Sequence, residues 1–209
     1  GDNNVVYQIV GQPLGVFYLP HCKGLVKNEN GSYFYDIEDL DHNGKVDLSD
    51  GGDRYIAGQA TPKVILGSNI SFRYKNYYIS IQMNGAFGHK IFNGTGLAYT
   101  SMACFPDYNV FKDAPKKNII DQRVSDYWLE KGDYLNFEHL TIGYNVPLRS
   151  KLIRSLRVSC NISNIGTITG YKGLTPMINS YVVNSTMGID DKRNYPLYRT
   201  YSLGLSVQF

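Results

Sequence analysis

An all-β, antiparallel fold follows from three observations in the sequence. Apolar and polar residues alternate with period two in several separate runs. Aromatic residues make up 13 % of the 209 residues and 18 of them are Tyr, a residue that favours strands, and Gly, Pro and Asn mark the breaks between runs. With 43 % hydrophobic and 19 % charged residues the composition excludes a disordered chain and argues against a helical bundle. The length suffices for one sizeable core or two small ones. No apolar run approaches the ~18 residues of a membrane-crossing helix, and a net charge of +3 spread along the chain leaves no footprint for nucleic acid.

Taken in order, two weaker strands at 4–10 and 14–20 flank the turn Gly11-Gln12-Pro13. Leu66, Ile70, Phe72 and Tyr74 then alternate with Asn69, Ser71 and Arg73. Tyr77, Ile79, Ile81, Met83 and Phe87 alternate with Tyr78, Ser80, Gln82, Asn84 and Ala86, and the joint Lys75-Asn76 predicts a tight hairpin. In 134–144 the parity changes between Leu135/Phe137 and Leu140/Ile142/Tyr144, which predicts a bulge near Glu138-His139. Residues 156–164 pair off Leu156, Val158, Cys160 and Ile162 against Arg157, Ser159, Asn161 and Ser163. The final run sets Tyr201, Leu203, Leu205, Val207 and Phe209 against Ser202, Gly204, Ser206 and Gln208. The total is about seven strands on this reading.

Connection lengths add sidedness. Short turns at 11–13, 75–76 and 145–155 alternate with long segments at 21–63, 88–133 and 165–198. Short turns on one side and long loops on the other are the mark of an antiparallel transmembrane β-barrel segment, with short periplasmic turns and long external loops. Strands of about eleven residues, tilted near 45°, span its apolar band of roughly 25 Å. Ile79, Ile81, Leu203 and Leu205 then face lipid, and Ser80, Gln82, Ser202 and Ser206 face the lumen. The chain starts at Gly1 without the basic and apolar regions of a signal peptide, so residues 1–209 are expected to be a processed product or a fragment of something longer. Cys22, Cys104 and Cys160 are too few and too scattered for a disulfide framework or zinc site, although one Cys22–Cys104 bridge remains open.

Among motifs, the segment from Asp39 fits a calcium-loop template. Asp39, Asp41 and Asn43 stand at positions one, three and five, Gly44 at the sharp turn, Lys45 offers its carbonyl, Asp47 stands at nine and Asp50 at twelve. The alternative is a solvated Asx-rich turn without metal. Gly85, Gly88, Gly94 and Gly96 follow a strand but form no phosphate-loop motif, and a strand-to-loop bend with no helix after it is expected. His21, His42, His89 and His139 show no metalloprotease spacing, and neither a nucleophile elbow nor a carboxylate pair accompanies them. Phe105, Tyr108, Phe111, Tyr127, Trp128 and Tyr134 suit an interfacial girdle or partner packing better than sugar stacking.

The ordered series of these segments resembles the C-terminal portion of the SusC/RagA-like TonB-dependent outer-membrane transporters over nearly the whole chain. The likeness is carried by Gly11-Gln12-Pro13-Leu14-Gly15-Val16-Phe17-Tyr18, by Asp39-Leu40-Asp41-His42-Asn43-Gly44-Lys45-Val46-Asp47 and by Gly85-Ala86-Phe87-Gly88. It continues through Gly132-Asp133-Tyr134-Leu135, Leu140-Thr141-Ile142-Gly143-Tyr144-Asn145-Val146-Pro147 and Thr169-Gly170-Tyr171-Lys172-Gly173. Thr175-Pro176-Met177 and Gly166 depart from the family pattern. The resemblance implies an importer, not an enzyme, in the outer membrane of a Gram-negative bacterium. Its barrel has about 22 strands, with a plug and a TonB-interacting part outside this chain. Its partners are a SusD-like surface lipoprotein, the TonB complex, membrane lipid and an oligosaccharide or peptide substrate. Phe209 then terminates the strand that carries the barrel's insertion signal. A secreted calcium-binding β-sandwich that binds glycans is the competing expectation.

Overall fold

The alternating runs form strands, and the longest of them form one sheet. The computed structural model describes residues 4–49, 51–149, 152–178, 187–192 and 194–209, without the Cys104 side chain. The strands are β1 (Val6–Tyr7), β2 (Val16–Leu19), β3 (Cys22–Lys27), β4 (Tyr33–Ile37), β5 (Tyr55–Gln59), β6 (Val64–Tyr74) and β7 (Tyr77–Phe87). They continue with β8 (Lys90–Asn93), β9 (Leu129–Lys131), β10 (Tyr134–Val146), β11 (Ser155–Thr169), β12 (Ile189–Asp190) and β13 (Thr200–Gln208). Two short helices are α1 (Gly94–Thr100) and α2 (Ala114–Lys117). The chain divides into two units, one of residues 1–62, 88–132 and 171–195, the other of residues 63–87, 133–170 and 196–209.

The second unit is a five-stranded antiparallel sheet in the order β13-β11-β10-β7-β6. The count of seven is corrected here: the runs at 4–10 and 14–20 belong to the other unit, where they shrink to β1 and β2. The alternating pattern along those runs is too short to reach across an apolar band. Within the sheet the register aligns like with like. Ile70, Ile81, Leu140, Ile162 and Tyr201 form one cross-strand row, and Phe72, Ile79, Ile142, Cys160 and Leu203 the next. This face is open, with Leu203 85 % and Phe72 64 % exposed. The opposite face carries Ser71, Ser80, Thr141, Asn161 and Ser202, joined in part by Ser71 Oγ donating to Ser80 Oγ at 3.0 Å and Thr141 Oγ1 to Asn161 Oδ1 at 2.9 Å. Because side chains alternate with period two, a one-residue slip would bring every apolar row to the polar side.

The expected bulge is present. The register of β10 shifts between Phe137 and His139 against both β7 and β11. The extra residue returns Leu135 and Phe137 to the face of Leu140 and Ile142 despite the change of parity. The Lys75-Asn76 hairpin is also present, with Lys75 in the left-handed region at φ 52°. Tyr74, Tyr77 and Tyr144 form the row next to that turn, the last two with ring centroids 4.6 Å apart. An aromatic row at the strand ends is the girdle that a barrel places at the membrane interface.

Gly143 shows why a glycine interrupts β10. A Cβ there would overlap the Tyr78 ring, and the Arg157 guanidinium sits over that ring at 5.4 Å from its centroid. Gly143→Ala is expected to lower stability by about 1–3 kcal/mol through overpacking. Gly166→Ala, where a Cβ meets nothing within 4 Å, leaves it unchanged. Urea unfolding of the full-length protein in bilayers checks this, and equal midpoints for the two variants would contradict the close approach.

The first unit is built around its own core. β1-β2-β5 and the β3-β4 hairpin are antiparallel, while β12 runs parallel to β8, which pairs antiparallel with β9. Phe17, Leu19, Phe92, Ile119 and Trp128 are buried together with Val5 and Tyr35. Each fully buried Phe or Leu contributes about 1.5–3 kcal/mol. Trp128, expected at an interface, is a core residue whose Nε1 donates to the Tyr35 hydroxyl at 3.1 Å. Helix α1 corrects a second expectation, since a helix does follow the glycine-rich stretch. Asn93 caps it, its Oδ1 accepting from Gly96 N at 2.6 Å. Cys22 is buried, its Sγ donating to the Gly24 carbonyl at 3.2 Å, and burial pushes its thiol up from the ordinary range. Cys22 is a free cysteine, so the Cys22–Cys104 bridge left open by the sequence is not formed.

Candidate functional site

The calcium-template segment folds as a series of Asx turns after β4. Asp39 Oδ2 accepts from Gly44 N at 2.8 Å and Asp41 Oδ1 from Asn43 N at 3.0 Å. Asn43 Oδ1 accepts from Lys45 N at 2.8 Å, and Gly44 takes φ 84° at the turn that the template assigns to it. Carboxylate oxygens of Asp39, Asp41 and Asp53 lie within 4.8 Å of one another. Asp39 and Asp41 are therefore brought together as the spacing expects. Asn43 is tied to Asp41 by its side-chain amide at 2.7 Å, Lys45 and Asp47 continue the exposed loop, and Asp50 lies outside the described residues.

Asp53 was missed in the sequence because the template ends at position twelve, three residues earlier. It is 1 % exposed and holds the loop from inside. Its Oδ1 accepts from Leu40 N at 2.6 Å and Asp41 N at 3.2 Å, and its Oδ2 from Asp47 N at 2.7 Å. Arg54 follows it, donating to the Leu48 carbonyl at 3.0 Å and the Tyr7 hydroxyl at 2.7 Å, so the loop closes onto β1. Each carboxylate has about four acceptor positions, so these bonds leave oxygen available to a hard cation. That donor chemistry fits calcium.

The Asp47 amide foremost, then those of Leu40 and Asp41, hold the Asp53 carboxyl below its ordinary range against the opposing pull of burial. A depressed carboxylate stabilises the fold above its unfolded pKa of about 3.9, and that stabilisation is lost as pH falls through the lower folded value. Hydrogen exchange at Leu40, Asp41 and Asp47 amides is therefore expected to stay slow at pH 5 and accelerate in acid, below about pH 4. Asp53→Asn should remove the acid step; an unchanged profile would contradict the role given to Asp53.

His21 joins a network centred on the Asp126 carboxylate. Asp126 accepts from Cys22 N at 2.7 Å and the Tyr55 hydroxyl at 2.7 Å, and meets His21 Nδ1 at 2.6 Å. This ties the turn before β9 to β3 and β5. Asp126 lies 71 to 105 residues from its partners in sequence, so no motif could have announced the network.

A two-faced antiparallel sheet with exposed apolar rows, an aromatic row by the tight turn, and alternating short and long connections is a segment of transmembrane β-barrel wall. Within that class the chain resembles the SusC/RagA-like TonB-dependent receptors. It is 27 % identical to TonB-dependent receptor P3 of Formosa agariphila over 95 % of its length, and 26 % identical to TonB-dependent receptor SusC of Bacteroides thetaiotaomicron over 96 %. It spans about a fifth of those curated relatives, 22 % and 20 % respectively. Its fold matches the RagAB peptide importer in the open-open state with a TM-score of 0.74 at 18 % identity, covering 99 % of this chain and 24 % of that one. For the closed-closed state the TM-score is 0.69 at 15 % identity, covering 100 % and 25 %. No family model matches the chain.

Proposed function

We propose that the chain is the C-terminal part of the barrel of a TonB-dependent nutrient importer in the outer membrane of a Gram-negative bacterium. The observation that carries the reading is the sheet: its apolar rows are exposed, as lipid-facing rows must be, and its polar rows form hydrogen-bonded ladders suited to a lumen. The receptor relatives, and a solved neighbour described as a peptide importer, support it. In this reading the protein performs no chemistry on its cargo. A peptide or oligosaccharide is captured with a SusD-like surface lipoprotein, and TonB, acting on a part outside residues 1–209, supplies energy for passage. The strands carry the wall, the short turns are periplasmic and the long connections external. The Asp39 loop takes Ca²⁺ and orders its own connection, with Asp39, Asp41, Asn43, Lys45 and Asp47 as in the template and Asp53 beside them. A secreted sandwich would instead bury the rows of Ile81 and Ile79 against a second sheet.

Fractionation of cells carrying the full-length protein tests the reading, with heat-modifiable protein expected in the outer membrane. Calorimetry on that protein should find a calcium site lost in Asp39→Ala and Asp41→Ala. Soluble secreted protein would sink the importer reading, and identical titrations would sink the metal reading alone.

A further inference from the structure

A cleft of about 360 Å³ opens within the first unit, where β8, the start of α1 and β12 meet the segment 172–174. Its volume suits one amino-acid side chain or sugar ring. Its polar floor is already committed. Asp190, 1 % exposed, accepts from Thr95 Oγ1 at 2.8 Å, Asn194 Nδ2 at 2.9 Å and the Tyr171 hydroxyl at 2.7 Å. Burial and this bond push the Tyr171 hydroxyl up from its usual range, which keeps it a donor. Asn93 spends its oxygen on Gly96 N and its amide on Glu130 Oε1 at 2.9 Å, and Glu130 Oε2 accepts from Lys172 N at 2.8 Å. A neutral polyol entering here finds few open acceptors.

Two cations stand beside this committed floor. Lys172 and Lys192 line the cleft, and neither ammonium forms an ion pair among the described residues. Lys192 Nζ rests over the Tyr99 ring, 5.9 Å from its centroid. Phe111 and Leu174 supply an apolar wall and are themselves 43 % and 52 % exposed. We infer that the cleft is a subsite for a carboxylate carried on an apolar or ring-bearing body, with the carboxylate paired to Lys172 and Lys192 and the body against Phe111 and Leu174. This rests on the importer reading, which supplies two sources of such a group: a peptide's terminal or side-chain carboxylate, and the acid of a uronate sugar.

The test uses the purified full-length transporter and four probes: a phenylalanine-ended tripeptide and its C-terminal amide, and a trigalacturonate and its methyl ester. Wild type is expected to bind the acid of at least one pair about tenfold more tightly than its neutral partner. Lys172→Ala with Lys192→Ala should erase that preference while leaving affinity for the neutral probe intact, and the two Lys→Arg replacements should restore it. The pair that responds identifies the source. A preference that survives the alanine replacements overturns the proposal, as does wild type that binds acid and neutral probes equally or binds none of the four. Absence of the protein from the outer membrane is a separate result and overturns the importer reading instead.

Discussion

In the barrel proposed above, arginine at Ile81 is expected to destabilise the inserted protein by about 2–4 kcal/mol, and arginine at Ser80 by much less. Ile81 stands in the row Ile70, Ile81, Leu140, Ile162 and Tyr201. It lies four residues from Tyr77 in the aromatic row, which at about 3.3 Å per residue and a tilt near 45° brings it towards the middle of the apolar band. On the proposed lipid face a guanidinium must leave water for hydrocarbon. At Ser80 the side chain belongs to the ladder of Ser71 and Asn69, whose Oδ1 accepts from Ser80 Oγ at 3.0 Å, and water can reach a charge placed in a lumen. Reversible urea unfolding in bilayers gives both values. Equal tolerance at the two positions would remove the basis for assigning the faces.

Phe17→Ala should cost the first unit about 3–5 kcal/mol, because the ring is 0 % exposed and the surrounding core can close only partly over the space it leaves. The neighbours are constrained: Phe17 Cζ would stand 3.0 Å from a Cβ at Gly188, so that side is already tight. Protease should then cut sooner within residues 21–49, while the five-stranded sheet keeps its exchange protection. Phe105→Ala is the control, since that ring is 59 % exposed and its loss should fall within about 0.5 kcal/mol. Identical digestion of the two variants would show that Phe17 does not anchor this core.

Legibility differed between the two units for a physical reason. In the sheet, side chains alternate between an apolar and a polar face, so the period of two survives in the sequence of its five strands. The hairpin at Lys75-Asn76 and the bulge beside Glu138 could be read directly. In the first unit the strands are two to six residues long, too short for periodicity to distinguish strand from loop. There, Trp128 reads as an interfacial aromatic until Tyr35, 93 residues away in sequence, is folded against it.

The candidate site divides in the same way. Asp39, Asp41, Asn43 and Gly44 were legible because Asx turns depend on spacing alone, each side chain reaching an amide two to five residues on. Asp53 was not, since its role comes from being buried beneath the loop and not from its place in a template. The cleft of Asp190, Lys172 and Lys192 assembles residues from four separate stretches of chain.

By itself the sequence determined the faces of the strands, the tight turn, the bulge and the resemblance to a barrel wall, because each depends on neighbours within a few residues. Only the tertiary structure decided that five strands and not seven share the sheet, that Trp128 and Phe17 are core, and that Asp53 and Asp190 are buried acceptors. Those outcomes depend on which distant segments exclude water from one another, and pairing at a distance leaves no period in a single chain.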